Sequence, residues 1–341
     1  MGIDFGDSIP REKIQLEDIA GWTLAVDGYN TLYQFLAIIR GMDGGHLKDS
    51  QGRVTSHISG LFYRNVNLLE LGMKLVYVFD GKPPELKTEE IRRRSEQRRE
   101  AKDQYLRALQ SGDMAQARKF AEASTVLRRD MVADAKSLLD AMGIPWVDAP
   151  SEGEAQASTM AMEGTVKAVA SQDHDSIVFG APTLVRNVTI SGKRRLPSKG
   201  IVINVVPERI TLSSVLAATG LTREQLVDFA ILLGTDFNPD GFEGVGPVTA
   251  LKYLKKYGRL DEVKELAPAL EAVNYKGIRD LYLNAPSTKG VVPEWKPMDR
   301  EKVISFLVGE HSFSRERVEA ALARVEKTKP SQSETLEKWF G

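Results

Sequence analysis

The chain has 341 residues, 42% of them hydrophobic, with 46 Lys and Arg set against 47 Asp and Glu for a formal net charge of −1. Such a length allows one large core or two lobes, and no apolar run is long enough to span a bilayer, so a soluble, intracellular, cytoplasmic protein with no membrane contact is expected. The absence of Cys and the presence of only four His argue against a structural zinc site, and fit a reducing compartment or a thermophilic source.

At the start, Met1-Gly2-Ile3-Asp4-Phe5-Gly6 has no basic region followed by an apolar stretch, so no signal peptide is expected. Thr23-Leu24-Ala25-Val26 reads as a short strand ending in Asp27-Gly28, and Lys74 to Phe79 as a longer one ending in Asp80-Gly81. Helical spacing of apolar residues covers Leu32 to Ile39 and Ser56 to Leu71 between them. Tyr33 falls on the first of these helices, where a buried tyrosine is the ordinary reading. The run Ile91 to Lys102 is dense in Arg and strong helix formers, which on composition alone is a long exposed helix laced with ion pairs. It follows Asp80-Gly81-Lys82-Pro83-Pro84 directly, so Lys87 and Arg94, about two turns apart, can project from one face towards Asp80. Ser111-Gly112 breaks the pattern into two helices.

Met131 to Met142 is helical again, and Ser151-Glu152-Gly153-Glu154-Ala155 opens a further helix in which Ser151 and Glu154 also fit a capping box. A third strand, Val166 to Ala170, leads into Ser171-Gln172-Asp173-His174-Asp175. Asp236 follows the apolar run Phe229 to Leu233, where Gly234-Thr235-Asp236 also suits a plain turn. Gly244 and Gly246 allow close backbone approach to a phosphate, Pro247 suits the first turn of a helix, and Lys252, Lys255 and Lys256 follow on it. Those features together favour a grip on duplex backbone without sequence preference. From Arg259 to Ala323 the pattern is amphipathic and helical with a loop near Pro286 to Pro297, and it carries no evident chemistry. A polar linker by composition follows Val325, and the chain ends on Leu336, Trp339 and Phe340.

Strands alternating with helices predict an α/β fold with a central, mostly parallel sheet flanked by helices, whose active residues gather at the carboxyl ends of the strands. Asp27, Asp80, Asp173 and Asp175 fall there, and Glu152, Glu154 and Asp236 join them from helix ends and turns. Carboxylates crowded at one sheet edge repel one another unless cations sit among them, so the seven together predict a metal site. Oxygen ligands of this hardness suit Mg²⁺ or Mn²⁺. Two such ions, about 3.5 to 4 Å apart, can activate water and clamp a phosphate without any protein nucleophile. Neutralising the seven acids would leave the remaining surface net positive, so the mildly acidic sequence does not oppose a nucleic-acid partner.

In order and spacing, Val26-Asp27, Val78-Phe79-Asp80-Gly81-Lys82-Pro83-Pro84, Ala149 to Ala155, Ser171 to Asp175 and Leu232 to Asp236 resemble the flap structure-specific endonucleases of the XPG superfamily. The resemblance covers nearly the whole chain and is closer to the archaeal branch. It implies a PIN-like 5′ nuclease fold in which the seven acids hold two divalent ions. Asp80, Glu152, Lys87 and Arg94 would then serve catalysis, the last two on the scissile phosphate. It also implies a helical arch at 81–130 for the single-stranded flap and an aromatic, here Tyr33, stacked on the base beside the cut, worth about 1 to 3 kcal/mol in single-strand binders. A helix-two-turn-helix near 234–257 would grip duplex DNA through Gly244, Gly246 and Lys252 and bind K⁺. The expected divisions are a nuclease region at 1–105, an internal region at 122–258, a helical wrap at 259–325 and a tail at 326–341.

Leu336, Trp339 and Phe340 resemble the PCNA-interacting peptide, which plugs one helical turn into a groove on the sliding clamp. Gln332 stands one residue early for that motif, and Ser333 occupies the Gln position. The function implied is Mg²⁺-dependent cleavage of 5′ flaps on branched DNA by a monomer, with 5′–3′ exonuclease activity, in Okazaki-fragment maturation and repair. A Holliday-junction or bubble endonuclease of the same superfamily, or a clamp-bound scaffold without catalysis, are the alternatives.

Overall fold

The computed structural model describes residues 3, 5–41, 45–190, 192–195 and 202–328, so the expectations for Leu336, Trp339, Phe340 and Gln332 lie outside the described residues. In chain order the elements are β1 (Glu12–Lys13), β2 (Thr23–Asp27), α1 (Gly28–Ile38), α2 (Ser56–Glu70), β3 (Lys74–Phe79), α3 (Thr88–Gln110), α4 (Met114–Ala123), α5 (Arg129–Ala141) and β4 (Trp146–Asp148). There follow α6 (Gly153–Met162), β5 (Ala168–Ala170), α7 (Asp175–Val178), β6 (Thr183–Arg186), β7 (Gly192–Arg195), β8 (Val202–Val205), β9 (Glu208–Thr211), α8 (Leu212–Thr219) and α9 (Arg223–Leu233). The last are α10 (Pro247–Tyr257), α11 (Ala267–Leu270), α12 (Tyr275–Leu283), α13 (Arg300–Ile304) and α14 (Arg315–Thr328).

The main sheet has the strand order β1-β9-β6-β5-β2-β3-β4. From β6 through β4 every pairing is parallel, and the β9 and β1 edge is antiparallel. Parallel strands must be covered on both faces, and the side chains of β2 and β3 alternate accordingly. Leu24, Val26, Leu75, Tyr77 and Phe79 join one apolar cluster with residues of α2, α5 and α14. Ala25, Val76 and Val78 join the other with residues of α6, α9 and α10. This is the α/β architecture expected from the alternation of elements.

The third strand is shorter than expected, Ala168–Ala170, because only Leu24 to Val26 of β2 pairs with it. The first helix begins four residues earlier than its apolar spacing suggests, because Asp27 caps it. The arch divides as expected, with Gly112 at φ +74° between α3 and α4, a left-handed conformation that glycine adopts without strain. Arg40 holds the far end of α4 by donating to the Ala121 carbonyl and to Thr125. The loop before α13 straps over β3, where the Trp295 indole donates to the Leu75 carbonyl at 2.8 Å.

Candidate active site

Parallel strands release the chain at one edge of the sheet, and there the seven acids meet. Asp27 ends β2 and accepts from the Asn30 amide at 3.0 Å, so one carboxylate both caps α1 and faces the site. Asp80 follows β3 and accepts from the Gly153 amide at 2.6 Å. A Cβ at Gly153 would come to 2.8 Å from that same oxygen, so a side chain there would push the carboxylate aside.

The capping box proposed for Ser151 and Glu154 is not formed. Glu152 is the cap residue of α6 and makes no side-chain cap hydrogen bond. Glu154 instead accepts from the hydroxyls of Ser171 at 2.7 Å and Ser176 at 3.2 Å. The plain-turn explanation of Asp236 gives way similarly. Thr235 and Asn238 close that turn, their side chains 2.7 Å apart, and leave Asp236 directed at the arch. Asp173 accepts from the Asn30 amide group at 2.8 Å, and Asp175 from the Tyr282 hydroxyl at 2.6 Å and the Ile3 amide at 3.3 Å.

Two cations from the arch side enter this cluster. Lys87, in the short 3₁₀ turn before α3, lies 2.5 Å from Glu152 and 3.2 Å from Asp236. Arg94 donates to Asp236 at 2.5 Å and to Glu90 at 2.7 Å. Both therefore face the acids, as their spacing predicts, and both converge on Asp236.

The electrostatics record the crowding. Burial raises the Asp27 carboxyl well above its ordinary range, and Asp80 and Asp173 add to it. Burial does the same to Glu154, reinforced by Asp175 and Asp173. Asp175 is pushed up to about 7 by burial, then by Asp236 and Asp173. Asp80 and Glu152 are raised by burial in spite of Lys87. Burial alone would lower the Lys87 ammonium, but Glu152 and Asp236 outweigh it and hold it above an ordinary lysine.

Among the described residues no three acidic or histidine side chains are disposed, as they stand, to hold an ion together. Lys87 and Arg94 reach in among the carboxylates instead. The donor set nonetheless suits a hard dication: it is all carboxylate oxygen, and mutual repulsion is the cost that bound cations relieve. Sequence reasoning missed Asn30, Ser171, Ser176 and Tyr282 as the donors that orient these acids. Asn30 carried a signal, lying three residues after a capping Asp, whereas Tyr282 carried none.

Further expected positions lie on α1 and around the start of α10. Tyr33 is half-buried on α1 with the Arg98 guanidinium 4.9 Å above its ring centre. The helix-two-turn-helix is formed by α9, the turn and α10, with Gly246 as cap and Pro247 in the first turn. Gly244 has φ +75°, and the space around both Gly244 and Gly246 is open. Lys252 and Lys255 are exposed, but Lys256 is bound to Tyr257 and Glu265.

Residues 8–101 match the XPG N-terminal domain and residues 143–236 the XPG I-region. The fold is that of an XPG-type nuclease. A flap endonuclease 1 of Archaeoglobus fulgidus is 51% identical over 341 residues, covering 100% of both chains. That of Thermococcus onnurineus is 48% identical over 342 residues, covering 100% of this chain and 99% of its own. Among solved structures, flap endonuclease-1 from Methanococcus jannaschii superposes with a TM-score of 0.73 at 38% identity, over 96% of this chain and 98% of that one. The catalytic core of Rad2 in complex with DNA substrate gives 0.69 at 26% identity, over 92% and 96%. The chain belongs to the flap endonuclease family.

Proposed function

We propose that this nuclease cuts the 5′ flap of branched DNA near the junction of single and double strand, with Mg²⁺ as its cation and Mn²⁺ as a substitute. The observation that carries this is the meeting of seven carboxylates with Lys87 and Arg94 at one sheet edge. Asp27, Asp80, Glu152, Glu154, Asp173, Asp175 and Asp236 would hold two divalent ions, which when bound supply water activation and charge neutralisation at the phosphate.

The chain's own residues do the rest. Lys87 and Arg94 exchange their carboxylate partners for the scissile phosphate, with the arginine fork able to bind two oxygens at once. Tyr33 stacks on the base beside the cut, exchanging or sharing its Arg98 contact. The arch formed by α3 and α4 receives the flap strand. Gly244, Gly246 and Lys252 grip the duplex backbone, and K⁺ binds at that turn. Support for a DNA partner comes from the Rad2 core, solved with DNA substrate.

The same reading includes 5′–3′ exonuclease action, a place in Okazaki-fragment maturation and repair, a monomeric state and docking of Leu336, Trp339 and Phe340 on the PCNA sliding clamp. Incubating a 5′-labelled flap substrate with the protein, in Mg²⁺ and in EDTA, tests the core of it. Cleavage near the junction in Mg²⁺ alone is the expected result, and binding without cleavage in either condition would reduce the protein to a scaffold.

A further inference from the structure

Tyr282 lies on α12, in the stretch that carries no chemistry by sequence. Its side chain is 1% exposed, packed on Phe179 with ring centres 4.6 Å apart and edge-on to Phe237 at 5.5 Å. A buried phenol needs a partner for its hydroxyl, and this one donates to Asp175 at 2.6 Å. The other Asp175 oxygen accepts from the Ile3 amide at 3.3 Å. Ile3 is itself anchored, its carbonyl 2.8 Å from Nδ1 of His174.

Two donors on different oxygens fix both the position and the rotation of a carboxylate. Tyr282 bears on the neighbouring acid as well, because the Phe237 it touches follows Asp236 directly. One side chain thus braces two acid-bearing segments, with its hydroxyl on the start of α7 and its ring on the turn after α9.

We propose that Tyr282 is a positioning residue for the reaction, holding Asp175 so that its remaining lone pairs face a bound divalent cation. This rests on the metal-centre reading of the site. Hydrogen bonds from outside the ligand set onto a ligating carboxylate fix its orientation, and their loss commonly costs about 10- to 100-fold in metal affinity or activity. A tyrosine serving only the core would instead affect stability and leave cation affinity alone.

Mn²⁺ titration by calorimetry, on the full chain without DNA, separates these roles. Tyr282→Phe keeps the ring and removes only the hydroxyl. It should weaken Mn²⁺ binding about tenfold or more. It should also raise the Mg²⁺ needed for half-maximal cleavage while leaving the KM for DNA unchanged. In an Asp175→Asn background the same change should add nothing, since its route of action is already gone.

Mn²⁺ affinity within about twofold of wild type would overturn the proposal, as would full additivity with Asp175→Asn. A Tyr282→Phe chain that does not fold would assign the hydroxyl to the core and overturn it too. Failure of the wild type to bind Mn²⁺ would remove the metal centre itself, a result distinguishable from failure of Tyr282 alone.

Discussion

Arg94 donates to Asp236 at 2.5 Å across 142 residues of sequence, joining the helix of the arch to the turn after α9. Lys87 shares the same acid at 3.2 Å. The arch is thereby connected to the acid cluster through the two cations proposed to act on the phosphate.

Arg94→Ala should slow the chemical step far more than it weakens DNA binding, because a guanidinium aimed at the scissile phosphate acts chiefly in the transition state. A loss of about 100- to 1,000-fold in single-turnover rate is expected, the range for a lost charge-stabilising contact. Arg99 is exposed on the same helix, and Arg99→Ala should change the rate by less than about twofold. Equal effects of the two would mean that the basic run is a diffuse electrostatic funnel.

Asp80→Asn and Asp173→Asn, made separately, should each reduce single-turnover cleavage by well over about tenfold, since on the proposed reading each removes a ligand charge worth several kcal/mol at the metal centre. Duplex binding should persist, because the basic helix α10 is untouched. Turnover above about a tenth of wild type, a loss under about 1.4 kcal/mol, would exclude that residue as a ligand.

The acid crowding has a pH signature. Asp175, pushed up to about 7 from an ordinary 3.8, favours the fold while protonated. Its contribution is therefore lost as pH rises through the interval from about 4 to about 7, the reverse of a salt-bridged carboxylate. In EDTA, the melting temperature of Asp175→Asn relative to wild type should climb across that interval and level off above it. Saturating Mg²⁺ at pH 8 should narrow the difference by stabilising only the wild type strongly. A difference that stays constant from pH 4 to 8 would contradict this electrostatic account.

For the tail, calorimetry of peptides spanning Lys329 to Gly341 against the cognate sliding clamp gives the test. Trp339→Ala or Phe340→Ala should each cost roughly 2 kcal/mol or more, as buried aromatic anchors do. Gln332→Ala, one residue out of register, should cost less than about 1 kcal/mol. A loss at Gln332 as large as at Phe340 would show that the linker bulges to restore the displaced contact.

The acids themselves were legible because three of their segments follow buried parallel strands, where apolar runs and Asp-Gly junctions are local signals. Lys87 and Arg94 were legible because helical spacing is a local property. Glu154 and Asp236 were ambiguous, since a capping box and a turn explained them equally well. Contacts with the distant hydroxyls of Ser171 and Ser176 and the distant cations Lys87 and Arg94 favour the site reading. Tyr282 was illegible for the same reason: its hydroxyl finds Asp175 across 107 residues, and nothing around Tyr282 marks that contact. Strand length at β5 was missed because pairing with β2, and not the apolar run, limits it.

The most direct measurement is single-turnover cleavage of matched 5′-flap, fork and four-way substrates side by side, in Mg²⁺ and in EDTA. The flap should be cut fastest, near its junction, with no cleavage of any substrate in EDTA. Cleavage of the four-way junction at a rate equal to or above that of the flap, or cleavage that survives EDTA, would contradict the account.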